Sequence, residues 1–182
     1  ASSAASDVYK RQIYNFLGDY QKQRIEAFLH PDNVNLPGNY QVWQSKIAIG
    51  SGGFSGKGLF NGTQKELDFI PVQQSDFIFS VVVEELGFIG GLFVILLYSG
   101  LLFRFVRIIR DALDLYGALI VVGFTAMFLF QIFENIAMTM GLMPVTGITL
   151  PLLSGGGTSV IASLISIGVV LNIGINSKPI RF

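Results

Sequence analysis

Three uncharged apolar runs stand out against a more polar background along this 182-residue chain. Residues 86–103 ("LGFIGGLFVILLYSGLLF") and 116–133 ("YGALIVVGFTAMFLFQIF") are 18 residues each, and 159–175 ("SVIASLISIGVVLNIGI") is 17. At about 1.5 Å per residue each run covers roughly 27 Å of helix, close to the hydrocarbon thickness of a bilayer. Three membrane-spanning helices are predicted. Upstream, 13–29 sets Leu17, Tyr20, Ile25, Phe28 and Leu29 among Lys22, Arg24 and Glu26. That mixed helical pattern suits the end of a membrane helix followed by an interfacial one. "HPDN" (30–33) and "LPG" (36–38) end it, and His30 reads as an exposed turn residue. From 39 to about 75 no run is long enough to span, so this stretch reads as a large polar, glycine-rich loop.

Charge then orients the spans. The connection "RFVRIIRDALDL" (104–115) carries Arg104, Arg107 and Arg110. Short basic loops stay in the cytoplasm. The 30–75 loop and the 141–158 segment are therefore expected outside, and 176–182, with Lys178 and Arg181, inside. The fold class expected is all-α: a polytopic membrane protein with about three complete transmembrane helices, a large external loop and a re-entrant-type segment.

Composition agrees and removes several chemistries. The chain is 51% hydrophobic and 13% charged, against about 25% charged in soluble domains. Twelve basic and twelve acidic residues balance, so no global field points to nucleic acid, and none is expected as a partner. Without cysteine and with one histidine, neither a disulfide framework nor a thiolate or histidine metal centre is expected. Residues 2–12, "SSAASDVYKRQ", match the in-frame translation of a transposase sequencing adapter. Residues 1–12 are accordingly read as a scar outside the native sequence, and the rest as the C-terminal part of a longer protein.

Three stretches carry candidate chemistry. "GSGGFSGKGLFNG" (50–62) holds six glycines around Lys57. A phosphate loop needs G-x-x-x-x-G-K-[ST], yet Ser51 stands five before Gly56 and Gly58 follows the lysine. What remains is either glycine-rich backbone that offers N–H groups to phosphate beside Lys46 and Lys57, or a loop that needs positive φ. "NGT" (61–63) fits a glycosylation sequon and is read as chance. In "QQSDFIFSVVVEELGFIG" (73–90), Asp76, Ser80 and Glu84 share one helix face. Carboxylates entering a membrane are expensive and are usually placed for function. The alternatives are a helix N-cap for Asp76 and interface solvation for Glu84 and Glu85. Glu134 ends the second run on the same side, so the acids can converge. In "LPLLSGGGTS" (150–159), Pro144 and Pro151 limit helix and three glycines permit a tight return, which reads as a re-entrant or partly buried loop.

With these motifs in hand, the chain resembles the SEDS family of bacterial membrane proteins of shape, elongation, division and sporulation. "QSKIAIGSGGFSGKGLFNGTQ" (44–64), "DFIFSVVVEELGFIG" (76–90) and "GLMPVTGITLPLLSGGGTS" (141–159) stand in that family's order and approximate spacing. "GKG" and "NGTQ" look more like its elongation branch, RodA, than its division branch, FtsW. Two places depart from the family pattern: Gln73, Gln74 and Ser75 replace an acidic or alanine residue, His and Thr, and Gly155 replaces a tyrosine. The resemblance implies ten membrane helices, of which this chain holds the end of the seventh, the large external loop and helices eight to ten. It implies polymerisation of lipid II into glycan strands alongside a class B penicillin-binding protein, with the fragment inactive alone. It also implies that Asp76, in the D-F-I-F motif, is the essential aspartate.

A positioned carboxylate that accepts the proton of an attacking sugar hydroxyl contributes about 10²–10⁴-fold. Asp76 is the candidate base, with Lys46, Lys57, Glu84, Glu134 and Ser154 as candidate substrate-binding residues. Lys46, Lys57 or a divalent cation could neutralise the departing diphosphate. No motif supplies a metal-ligand set, so no cofactor is assigned. A lipid-linked precursor flippase or transporter, and a scaffold that recruits the crosslinking enzyme, are the rival readings.

Overall fold

The computed structural model describes residues 18–31, 33–36, 38–59 and 76–177. The expectations for 1–12, 61–63, 73–75, Lys178 and Arg181 concern residues outside these. Every element among the described residues is helical: α1 (Asp19–Leu29), α2 (Asn39–Gly52), α3 (Ile78–Asp111), α4 (Leu115–Thr139) and α5 (Gly157–Asn176). The last three are long and apolar enough to cross a membrane, and they contain the three predicted runs.

The boundaries correct the sequence reading in four places. The stretch 39–52, expected as loop, is the 14-residue helix α2. Its fully buried Ser45 and Ala48, with the buried Gly52, share one face at spacings of three and four, and small residues there let α2 lie against its neighbours. Ser45 Oγ donates to the Thr139 carbonyl at 2.8 Å, and a Cβ at Gly52 would strike the Val83 carbonyl. The basic connection is also shorter than expected. Arg104, Arg107 and Arg110 ride the exposed last turns of α3, where cations suit the helix C-terminus. Only 112–114 link it to α4, whose first turn is capped by Asp114 Oδ2 accepting from Gly117 N at 2.7 Å. Glu134, expected to end its helix, lies inside α4, which continues to Thr139.

The fourth correction concerns the glycine triplet. Gly156 is the N-cap of α5 with extended backbone, φ −76° and ψ 106°. In the segment between α4 and α5 the left-handed residues are Gly141, Gly147 and Leu152. The sharp turn is therefore at 150–154: Ser154 N donates to Leu150 O at 3.0 Å, and Leu150 N donates back to Ser154 Oγ at 2.8 Å. This segment has no helix, yet it buries Leu150, Pro151 and Ser154. The Tyr98 hydroxyl donates to the Pro151 carbonyl at 2.5 Å. Tyr98 is eleven residues past Gly87, about 16 Å along α3. The segment thus dips into the bundle, as its prolines and glycines imply, and protein groups take up part of its backbone, the Val145, Ile148 and Pro151 carbonyls and the Leu150 N–H among them.

The core joins Phe79, Val83, Tyr98 and Phe105 of α3, Val121, Phe128 and Ile132 of α4, Leu150 of the dipping segment and Val170 of α5. Phe105 and Phe128 meet edge to face at 5.6 Å. Where α3 and α4 meet α5 at the far end, a Cβ at Gly174 would stand 3.1 Å from Ile108, and one at Gly117 3.2 Å from Ile173. Small residues permit this close approach between lipid-embedded helices.

One feature of α3 positions the site. Gly87 has φ 71° and ψ −166°, so the helix is broken into a short arm (78–86) and a long arm (88–111). In a continuous helix Phe79 and Gly91 would be about 18 Å apart. Instead, a Cβ at Gly91 would lie 3.5 Å from the Phe79 ring tip and 2.8 Å from a Val83 methyl. The short arm folds back on the long one.

Candidate active site

A helix broken beside lipid leaves carbonyls at one end and N–H groups at the other without partners. Residues 53–58 supply them. Lys57 N donates to Glu84 O and Gly58 N to Glu85 O, both at 3.0 Å, while Phe88 N donates to Gly53 O at 3.0 Å and Ile89 N to Phe54 O at 3.4 Å. Backbone this close has no room for Cβ atoms: one at Gly56 would overlap the Glu85 carbonyl, and one at Gly87 would overlap Gly56 N. The glycine-rich motif is a clasp on the helix break, which explains why it fails as a phosphate loop. Lys57 Nζ meets Glu84 Oε1 at 2.8 Å, and the Glu84 side chain is fully buried. Glu85 is buried too. The solvated reading of this acidic pair is therefore corrected: the clasp covers both.

The short arm begins beside Asp76. Phe77, not Asp76, occupies the N-cap position of α3, and no side chain caps it. The capping alternative for Asp76 does not hold. Among the described residues the Asp76 carboxylate accepts no hydrogen bond, and the residue is half-buried. Its backbone carbonyl accepts from Asn135 Nδ2 at 2.9 Å, and the same amide donates to Ile148 O at 2.7 Å. Asn135, fully buried on α4, thus ties the start of the short arm to the dipping segment. Gly147, with φ 78°, approaches closely enough that its Cβ would stand 3.6 Å from Asp76 Oδ2.

Glu134 lies in the same place. It is 3% exposed, its Oε1 accepts from the Thr146 hydroxyl, and Arg24 and Asp76 are within Coulombic range. The Arg24 guanidinium donates to the Val145 carbonyl. Glu134 Oε2 and Asn135 Oδ1, both buried, find no hydrogen-bond partner among the described residues. Arg24 and Lys46 line one pocket with Trp43, Met143 and Val145. The Lys46 side chain runs over Gly141, where a Cβ would come within 2.6 Å of its Nζ.

Of the residues picked from sequence, Asp76 and Glu134 converge, and Lys46 borders them through the Arg24 pocket. Lys57 and Glu84 pair with each other at the clasp, and Ser154 closes the turn in the dipping segment. Sequence reasoning missed Arg24, Asn135 and Thr146. Arg24 gave one usable signal: it shares a helix face with Ala27 and Phe28, the side that lines the pocket. No group of three or more metal-ligating side chains occurs among the described residues.

Comparison with known proteins matches the chain to the FtsW/RodA/SpoVE model, described as cell cycle protein, over residues 4–179. The chain belongs to this family. It is the SEDS family that the motifs resemble. Relatives include stage V sporulation protein E of Bacillus subtilis, 46% identical over 154 residues (85% of this chain, 42% of that protein). Peptidoglycan glycosyltransferase MrdB of Escherichia coli K12 is 41% identical over 160 residues (88% and 43%). Peptidoglycan glycosyltransferase RodA of Treponema pallidum is 45% identical over 157 residues (86% and 36%). The chain thus spans less than half the length of these relatives. Among solved structures, a chain of a peptidoglycan synthase complex that coordinates polymerisation and crosslinking superposes with a TM-score of 0.73, at 30% identity. That match covers 96% of this chain and 47% of the other. Family and helices together make this a multi-pass bacterial membrane protein.

Proposed function

We propose that the full-length protein carrying this chain is a peptidoglycan glycosyltransferase that polymerises lipid II during elongation, with Asp76 as its general base. Asp76 carries the reading: a half-buried carboxylate that caps nothing, beside Glu134 and within a segment pinned by Asn135. In the reaction the acceptor sugar hydroxyl gives its proton to the Asp76 carboxylate. Its oxygen bonds to the anomeric carbon of the donor, the bond to the lipid diphosphate breaks, and the anomeric centre inverts. We assign Lys46 and Arg24 to the charge of the departing diphosphate. Glu134 holds Thr146, and so the segment that faces Asp76, while Ser154 fixes that segment's turn. A class B penicillin-binding protein is the proposed crosslinking partner, consistent with the complex in which the structural neighbour was solved.

One observation favours the flippase alternative: a broken helix next to an irregular segment is the architecture transporters use for mid-membrane sites. Purified full-length protein given lipid II in detergent separates the two. Glycan polymer is expected, and a detergent micelle has no second leaflet to flip into. Absence of polymer from intact, partner-bound protein would remove the glycosyltransferase reading.

This chemistry also needs the clasp outside and the α3–α4 connection inside, as the arginines imply. Ser55 is exposed and Leu113 is 72% exposed, so both suit labelling in a cysteine-free background. With an impermeant maleimide on intact spheroplasts, Ser55→Cys is expected to react, and Leu113→Cys only after permeabilisation. The reverse pattern would put Asp76 on the wrong side for external sugar chemistry.

A further inference from the structure

We propose that the clasp between 53–58 and the helix break sets the position of Asp76, and that Lys57 and Glu84 are positioning residues acting through the short arm. The proposal rests on the reading of Asp76 as base. The arm is joined to the long arm by one residue, Gly87, whose φ of 71° and ψ of −166° lie in a region essentially restricted to glycine. Such a hinge fixes no angle by itself. Four backbone hydrogen bonds bind the loop to both sides of the break, the Lys57–Glu84 pair bridges loop and arm at 2.8 Å, and Phe54 stacks on Phe88 with centroids 6.0 Å apart. The loop therefore holds both arms at once.

Leverage makes this consequential. Glu84 and Asp76 are eight residues apart, about 12 Å along the arm. A tilt of about 5° at the break moves Asp76 by about 1 Å, and a misplacement of that size costs about 10²-fold in rate. Losing a substrate contact has another signature, a raised KM with kcat retained. The kinetic split separates positioning from uniform substrate binding by Lys57, and arm geometry separates it from stabilisation of the departing diphosphate, which also lowers kcat.

The test uses full-length, cysteine-free protein. Lys57→Met/Glu84→Gln removes the ion pair without leaving a buried charge alone. It is expected to lower kcat toward lipid II by about 10²-fold, with KM within about twofold, while Lys57→Arg keeps near-normal kcat. Arm geometry is read separately, by the rate of disulfide formation in a Val83→Cys/Gly91→Cys background, where the two positions already touch. That rate is expected to fall with the double variant and to hold with Lys57→Arg. If the double variant does not accumulate, Phe54→Ala loosens the same clasp without altering charge and should shift both readouts in the same direction. Reduced kcat with unchanged disulfide formation, or raised KM with normal kcat, overturns the proposal. Polymer made by Asp76→Asn would remove the base reading alone, because the disulfide rate still reports whether the clasp sets the arm.

Discussion

Asp76→Asn in the full-length protein is expected to abolish the proposed glycan polymerisation while leaving membrane insertion, thermal stability and binding to the proposed penicillin-binding partner unchanged. The substitution keeps the shape of the side chain and removes its negative charge and proton acceptor. Loss of a general base costs about 10²–10⁴-fold, which takes polymer below detection on a gel of lipid II products. Stability is expected to hold because the Asp76 carboxylate caps no helix: Phe77 is the N-cap, and the ties at this point come from the backbone carbonyl of Asp76 to Asn135. Asn keeps that carbonyl. Polymer at more than a few per cent of the wild-type amount would eliminate Asp76 as the base, and a lowered melting temperature would assign it a structural role instead.

The three spans were legible because membrane helices advertise themselves in one dimension: an uncharged run of adequate length needs no knowledge of its neighbours. The family was legible for a related reason, since three long motifs stand in fixed order. The acidic start of α3 was readable as a candidate site because carboxylates at membrane depth are costly. What escaped the sequence depends on contacts between distant segments. Lys57 finds Glu84 across 27 residues, and Asn135 reaches Asp76 across 59. Periodicity carries no trace of either. The six glycines of 50–62 were visible as a demand for unusual backbone, but not that the demand came from a break 30 residues away. The triplet at 155–157 misled in the opposite sense. Three glycines permit a left-handed turn, yet the tightening comes from Pro151, Leu152 and the Ser154 hydroxyl, so permission was mistaken for use. Helix α2 was missed because its buried face is made of small residues, Ser45, Ala48 and Gly52, which an apolar pattern does not register.

Glycine substitutions should expose the same logic in stability. Gly53 and Gly87 are both left-handed, with φ of 55° and 71°, and both belong to the joined backbone at the break. Their surroundings differ. A Cβ at Gly53 meets nothing within 4 Å, whereas one at Gly87 would lie 2.5 Å from the Phe54 carbonyl oxygen and closer still to Gly56 N. Gly53→Ala therefore pays only for a backbone that glycine alone adopts readily, φ 55° and ψ −145°, about 1–3 kcal/mol. Gly87→Ala bears that cost, adds an overlap of about 1–3 kcal/mol and strains the hydrogen bonds from Lys57, Gly58, Phe88 and Ile89, at about 1 kcal/mol each if broken. A total beyond about 4 kcal/mol is a large fraction of the stability of a typical protein. The expected outcome is near-normal yield of monodisperse protein for Gly53→Ala and severe loss for Gly87→Ala, by detergent size-exclusion and thermal unfolding. Gly56→Ala, whose Cβ would overlap the Glu85 carbonyl, should resemble Gly87→Ala. Backbone overlap cannot be relieved by rotating a side chain, so equal melting temperatures for Gly53→Ala and Gly87→Ala would mean that the loop does not grip the break in the folded protein.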